Sequence, residues 1–249
     1  MIHAADTDDR RRMFSEAIVG KPYFQSLMAR DLALWADNPG APTKLFVLPD
    51  AALSVGGTVA QLCGHPRDWE ELREFLRFVG VRCLTVSEQP SGDDWILRRT
   101  LFIREVPAGG RLPLAQPPAG LAEDREPRVR EIAEELFSDR PERADHFYSE
   151  TCAALSRGMV RLTALRDGDG RMVSTVGAYA MANGEAYLAM GETVQQLRGR
   201  GIGGWLIAGL TNELAAEGWR VVLLCEEQRR RFYDRLGFAE TGCYWQYEV

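Results

Sequence analysis

The stretch GETVQQLRGRGIGG, Gly191 to Gly204, separates an apolar segment of strand character, residues 185–192, from an apolar stripe at helical spacing made by Ile202, Leu206, Leu210 and Leu214. A strand that passes through glycines straight into a helix aims several unpaired backbone N–H groups at one point. The helix dipole adds partial positive charge at the same place. Glycines remove the Cβ that would hold an anion off the backbone, and Arg198 and Arg200 stand ready to add charge-assisted bonds. The stretch therefore reads as a phosphate cradle. It lacks the GK[ST] of a P-loop, and the other familiar reading, a dinucleotide fingerprint, normally opens a strand–turn–helix unit that carries an acidic residue about 20 residues on.

The rest of the chain supplies strands and helices in alternation. Residues 7–37 carry apolar positions at helical spacing and predict two helices that break near Pro22. KLFVLPDAALSVGGTV predicts two strands joined near Pro49 and Asp50. Trp69, Leu72, Phe75, Leu76 and Val79 form one helical stripe that Gly80 stops, VRCLTV reads as a buried strand, and WILRRTLFIRE as one or two more. Residues 107–127 are dense in proline and glycine and read as a linker. Beyond it the pattern restarts with helices at 128–137 and 144–156 and strands at 159–166, 172–181 and 185–192. The cradle helix at 202–217, the strand VVLLC at 221–225, a helix at 228–236 and a strand near 243–249 complete it. The expected class is α/β, an α+β layer on a mixed sheet, with one domain over residues 1–110 and another over 111–249.

With 249 residues and 45% apolar content the chain can bury a sizeable core. A net charge of −6 argues against nucleic acid as a partner, since neutralising phosphates takes clustered cations. No apolar run is long enough to cross a bilayer, and the first residues lack the apolar region of a secretory signal, so a soluble cytoplasmic protein is expected. The five cysteines form no CxxC pair and His3, His65 and His146 stand singly, so neither a disulfide framework nor a metal site is expected.

Thirty residues past the cradle stands RFYDRLGF, residues 231–238. Arg198, Gly201 and Gly203 fit R-x-x-G-x-G, and this pattern followed by Tyr-x-x-Leu-Gly-Phe resembles the two signatures of the GNAT superfamily, the acyl-CoA-dependent N-acyltransferases, over roughly residues 112–249. The resemblance implies the acyl-CoA N-acyltransferase fold and acetyl-CoA as co-substrate, with no metal. Backbone amides of Leu197, Arg198, Gly199, Arg200, Gly201, Ile202 and Gly203 would hold the CoA diphosphate. The backbone from Gly191 through Glu192, Thr193 and Val194 would pair with the pantetheine arm as another strand does. Tyr233 would protonate the departing thiolate, a transfer made feasible by a thiol pKa near 8.5 and a phenol pKa near 10.

An amine that attacks an acyl group must first lose a proton, and Glu192 beside the cradle is the favoured carboxylate, with Glu185, Glu226 and Glu227 as alternatives. By strict alternation Glu192 would face away from Glu185 and Tyr187, so its use requires the strand end to re-aim it. The interval CEEQRRRFY departs from the family pattern, with Glu227 and Arg229 where asparagine and a small residue are usual. Arg229, Arg230 or Arg231 then become partners for CoA phosphates, or else form a solvated helix start. Cys225 reads as a buried small hydrophobe or an acyl acceptor. The implied activity is direct, ternary-complex transfer of an acetyl group to a primary amine. The alternative is a CoA-binding sensor that has lost catalysis. The acceptor, the acyl length and homodimer formation are left open.

A second stretch, GGTVAQLCG at Gly56 to Gly64, repeats six residues of GETVQQLRG and is followed by a helix and a similar strand. It reads as an internal duplication in which Cys63, His65 and Pro66 replace Arg198, Arg200 and Gly201. The expectation is a degenerate GNAT-like amino half that cannot hold a diphosphate.

Overall fold

The computed structural model describes every residue except Pro39 and Asp93. In chain order the elements are β1 (His3–Ala4), α1 (Asp8–Ile18), α2 (Phe24–Trp35), β2 (Thr43–Leu48), β3 (Ala51–Gly56), β4 (Val59–Gly64), α3 (Trp69–Phe78), β5 (Cys83–Val86) and β6 (Ile96–Val106). They continue with β7 (Ala122–Asp124), α4 (Val129–Leu136), α5 (Pro141–Leu155), β8 (Arg161–Arg166), β9 (Met172–Ala182), β10 (Glu185–Thr193), α6 (Ile202–Ala216), β11 (Arg220–Cys225), α7 (Arg230–Leu236) and β12 (Ala239–Glu248). Single 3-10 turns cover Gln195–Leu197 and Glu227–Arg229. Mixed strand directions and helices between them make the chain an α/β protein with a mixed sheet.

Two compact units form. The first comprises Met1–Arg104, Leu224–Arg230 and Glu240–Val249, and the second Glu105–Leu223 and Arg231–Ala239.

In the first unit the strand neighbours run β1-β2-β3-β4-β5-β12-β6. Two-residue turns join β2 to β3 and β3 to β4, and each holds a residue with positive φ, Asp50 at 67° and Gly57 at 56°. From β4 the chain crosses through α3 and returns parallel as β5, paired from Val59↔Cys83 to Leu62↔Val86. The α3 stripe Trp69, Leu72 and Leu76 is buried with Leu53, Leu62 and Leu84 in one apolar cluster. β12 joins β5 antiparallel, from Trp245↔Val86 to Glu248↔Cys83, and its Tyr247 lies in that same cluster. Trp95 ties α3 to β12 with edge-on ring contacts to Trp69 at 5.7 Å and Tyr247 at 6.2 Å. A division of the sequence at residue 110 does not anticipate this membership. Alternation along a strand tells which face is buried and not which neighbour it pairs with.

The repeat at Gly56 to Gly64 is corrected by this topology. Those residues are the end of β3, a hairpin turn and β4, whereas GETVQQLRG is the end of β10, a 3-10 turn and a loop. The six identities therefore align a strand with a loop. Between β4 and α3 only His65, Pro66, Arg67 and Asp68 intervene. The amino half repeats the order of strand, helix and parallel strand seen in β10, α6 and β11, with this four-residue connection where the other unit has the cradle loop. Its helix N-terminus is closed by its own side chain, since Asp68 Oδ1 accepts the N–H groups of Glu70 at 3.0 Å and Glu71 at 2.9 Å. β4 and β5 also stay zipped past their last pair, with Ser87 N–H on Leu62 O at 3.0 Å and Gly64 N–H on Ser87 Oγ at 2.8 Å.

One arginine of the run 229–231, Arg230, is accounted for in this unit. Arg104, only 1% exposed, places Nη2 2.6 Å from Glu240 Oε2. Glu240 also accepts Nε and Nη2 of Arg230 at 2.9 and 2.8 Å, and Arg230 Nη1 reaches Glu227 at 3.0 Å. The Arg230 guanidinium lies 4.1 Å over the Phe102 ring. Arg230 is thus part of a charge-balanced network and not a loose cation waiting for phosphate.

In the second unit the neighbours run β11-β10-β9-β8-β7, antiparallel except for the parallel pair β10 and β11. The predicted stripe Ile202, Leu206, Leu210 and Leu214 is buried on α6, which packs on one sheet face near Val176 and Gly191. On the other face Tyr179 meets Phe147 of α5 at 5.4 Å. The proline- and glycine-rich residues 107–121 are a strap rather than a free linker. The side-chain amide of Asn212 takes the Leu112 N–H at 2.7 Å and gives a bond to the Leu112 carbonyl at 3.0 Å. Gly109 N–H bonds Ala215 O at 2.8 Å, Trp205 Nε1 bonds Ala115 O at 3.2 Å, and Leu112 is buried. Replacing Asn212 with Ala should cost about 2 kcal/mol, the net worth of two such bonds, and lower the melting temperature by about 4–8 °C. Thermal melting with limited proteolysis checks this, and an unchanged melt with no new cleavage in residues 107–121 contradicts it.

Candidate active site

β10 pairs with β11 only over Glu185↔Arg220, Ala186↔Val221 and Tyr187↔Val222. From Leu188 onward its hydrogen bonding continues on the β9 side alone, so a gap opens along its other edge. Against β9 the register jumps between Ala189↔Gly177 and Glu192↔Thr175. Two residues, Met190 with φ 55° and Gly191, therefore oppose the single residue Val176. This bulge resets the alternation. Partners two apart put Ala189 and Glu192 on one face, the face of Glu185 and Tyr187. A Cβ on Gly191 would meet Val176 and Ile207 of α6, so Glu192 points to the face opposite α6. There it borders a shallow crevice with Glu135 of α4, Thr175 and Val194. The parity objection to Glu192 is thereby removed.

Past Thr193 the chain makes the 3-10 turn Gln195–Leu197, in which Leu197 N–H bonds Val194 O at 3.0 Å and Arg198 N–H bonds Gln195 O at 3.3 Å. Those two amides, expected in the cradle, are used inside the turn. The open donors begin at Gly199. Gly199 and Gly201 take φ of 77° and 78°, and no side chain caps α6 at its N-cap Gly201. Among the described residues no acceptor meets the N–H groups of Gly199, Arg200, Gly201, Ile202 or Gly203. Gly203 is required for a nearer reason than an anion, because a Cβ there would stand 2.8 Å from Thr193 Oγ1. That hydroxyl also lies 2.9 Å from Ser174 Oγ, a contact across β9 and β10 that no spacing in the sequence signals. Arg200 is exposed at the loop tip.

Arg198 does not reach over the helix N-terminus. Its Nε donates to Thr193 O at 2.9 Å and its Nη2 lies 2.6 Å from Glu192 Oε1. The same carboxylate oxygen accepts the Thr193 N–H at 3.2 Å.

α7 stands against the start of α6, since a Cβ on Gly204 would lie 3.1 Å from Leu236 and 3.7 Å from Phe232. Tyr233 is half-buried beside the rings of Phe232 at 5.0 Å and Phe238 at 5.7 Å. The Leu-Gly-Phe sequence is the helix stop. Gly237 at φ 95° lets its own N–H and that of Phe238 return to Tyr233 O, each at 3.1 Å, and Phe238 is buried. The two motifs are thus brought together within one unit.

The other candidates fall elsewhere. Glu185 is fully buried and its Oε2 is 2.6 Å from Arg220 Nη2, at the zipped end of β10. Glu226 accepts from Arg99 and from Gln228, and Glu227 pairs with Arg230, all in the first unit. Arg229 closes the 3-10 turn of that unit through its N–H on Glu226 O. Cys225 is buried, and burial pushes its thiol above the ordinary range, away from the thiolate an acyl acceptor needs. Burial likewise pushes Cys63 up to about 12. All five cysteines are free. Among the described residues no three of His, Cys, Asp and Glu gather as metal ligands, and no helix is long and apolar enough to cross a membrane.

Residues 126–238 match the model of the Acetyltransferase (GNAT) family. A GCN5-related N-acetyltransferase from Sphaerobacter thermophilus has a similar structure, with TM-score 0.65 and 17% identity over 100% of this chain and 95% of that one. A tandem GNAT protein from the clavulanic acid biosynthesis pathway gives TM-score 0.62 and 16% identity over 100% and 98%. A GCN5-related N-acetyltransferase from Kribbella flavida gives 0.62 and 17% over 83% and 89%. No curated protein sequence matches the chain. At these identities the likeness speaks to fold, and the family model covers the cradle and Tyr233 themselves. Residues 126–238 thus form a domain that matches the GNAT acetyltransferase family, and this domain carries both motifs.

Proposed function

We propose that this acyltransferase moves an acetyl group from acetyl-CoA to the primary amine of a small molecule, with donor and acceptor bound together. The observation that carries the reading is the open N-terminus of α6 beside the edge that β10 exposes on leaving β11. The donor set suits a diphosphate: amide N–H groups of Gly199 to Gly203, two glycines in left-handed conformation, and no side chain in the way. The contrast with α3, whose amides are taken by Asp68, supports the same assignment.

In this reading the backbone of Gly191 to Val194 receives the pantetheine amides. Glu192, on the face opposite α6, takes the amine proton directly or through water. The amine nitrogen bonds the acyl carbon, the carbon–sulfur bond breaks, and Tyr233 gives its phenol proton to the leaving thiolate. A thiol-release assay with acetyl-CoA across a library of amines tests the proposal. Thiol release dependent on an amine is expected. CoA binding without release for any amine would favour the sensor alternative, which the unusual CEEQ interval motivates.

A further inference from the structure

In an antiparallel pair successive residues turn their backbone groups alternately toward and away from the partner. Val194 N–H bonds Val173 O of β9 at 2.9 Å, so the N–H and C=O of Thr193 point the other way, into the gap beside β10. Both are occupied by side chains of the same segment. Glu192 Oε1 accepts the Thr193 N–H, Arg198 Nε donates to the Thr193 carbonyl, and the two side chains pair with each other at 2.6 Å. The three contacts close a ring over a peptide position that an extended ligand lying in the gap would use.

We propose that this ring is a clasp opened by the donor. It rests on the acetyl-CoA reading above. Amide groups of the pantetheine arm take over the two Thr193 positions, the diphosphate draws the Arg198 guanidinium toward the loop, and Glu192 loses both of its tethers. The carboxylate that would receive the amine proton is therefore released only when the donor is in place. Without donor the same carboxylate is tied to Arg198, and an amine finds a neutralised site. Both clasp side chains are partly exposed, 59% for Arg198 and 38% for Glu192, so the closed state is held weakly enough for a ligand to displace it.

The test is calorimetric titration of CoA into the full chain and into Glu192→Ala, Arg198→Ala and the double variant. Opening the clasp by Glu192→Ala should tighten CoA binding about three- to fivefold, the equivalent of one exposed ion pair, while amine-dependent turnover falls. In the Arg198→Ala background the same replacement should tighten binding by less than about a third of that, because the clasp is already broken. Equal or weaker binding by Glu192→Ala overturns the clasp and leaves the acetyl-CoA reading intact. Tightening that persists in full without Arg198 also overturns it, since plain charge repulsion between Glu192 and the phosphates then accounts for the effect. Failure of the unaltered chain to bind CoA removes the donor reading itself, and the clasp with it.

Discussion

Replacing Tyr233 with Phe should lower turnover by about a hundredfold to a thousandfold and leave CoA affinity within about a factor of two. The substitution removes one oxygen and keeps the ring that packs beside Phe232 and Phe238, so α7 and its Leu-Gly-Phe stop should be unaffected. The split between the two quantities is the informative part. A proton given to the leaving thiolate matters only as the carbon–sulfur bond breaks, so its loss appears in kcat and not in binding. Equal losses in rate and affinity would show that the hydroxyl holds the donor instead. An unchanged rate would move the acid to another group, such as an ordered water.

The second large effect concerns stability. Glu240→Ala should destabilise the protein by about 3 kcal/mol or more, because it strips its carboxylate from a guanidinium that is 1% exposed. Arg230 loses two bonds in the same change but keeps Glu227 and sits partly in water, so Arg104 dominates. Urea unfolding with one probe in each unit measures it. Replacing both partners, Arg104→Met with Glu240→Leu, should recover most of the loss, since a buried pair exchanged for apolar groups of similar volume is often neutral. If the single replacement is as mild as a surface change, below about 0.5 kcal/mol, then relaxation or water supports Arg104 and the network is not a stabilising feature.

Features written within a few consecutive residues were legible. The α6 stripe, the glycine-rich break before it and the helix end at residue 236 each depend on neighbours a few positions away, and each stands where the sequence indicated. What was not legible depends on partners far along the chain. Six matching residues suggested that Gly56 to Gly64 was a damaged cradle, yet pairing with β3 and β5 makes most of it a strand. Residues 107–127 look like a linker by composition, yet 107–121 become a strap because Asn212 lies opposite Leu112, and Ala122–Asp124 form β7. Arg230 could be read as a phosphate partner or as part of a solvated helix start, but it pairs with Glu240, ten residues beyond it, and no local rule indicates that pairing. The bulge at Met190 and Gly191 is a case between the two. The need for Glu192 to be re-aimed could be stated from alternation, while the extra residue that does it appears only in the register with β9.

The place of β12 bears on how the protein is made. β5 ends at Val86 and the strand that covers its outer edge begins at Ala239. At a synthesis rate of about 5–20 residues per second, the intervening chain takes roughly 8–30 s to emerge. For that interval the nascent amino-terminal segment presents a bare, apolar β5 edge, lacking Tyr247 for its core and Glu240 for Arg104. The ribosome-bound chain therefore passes through a stage that invites pairing with the wrong strand or capture by a chaperone, and it leaves that stage only as β12 arrives.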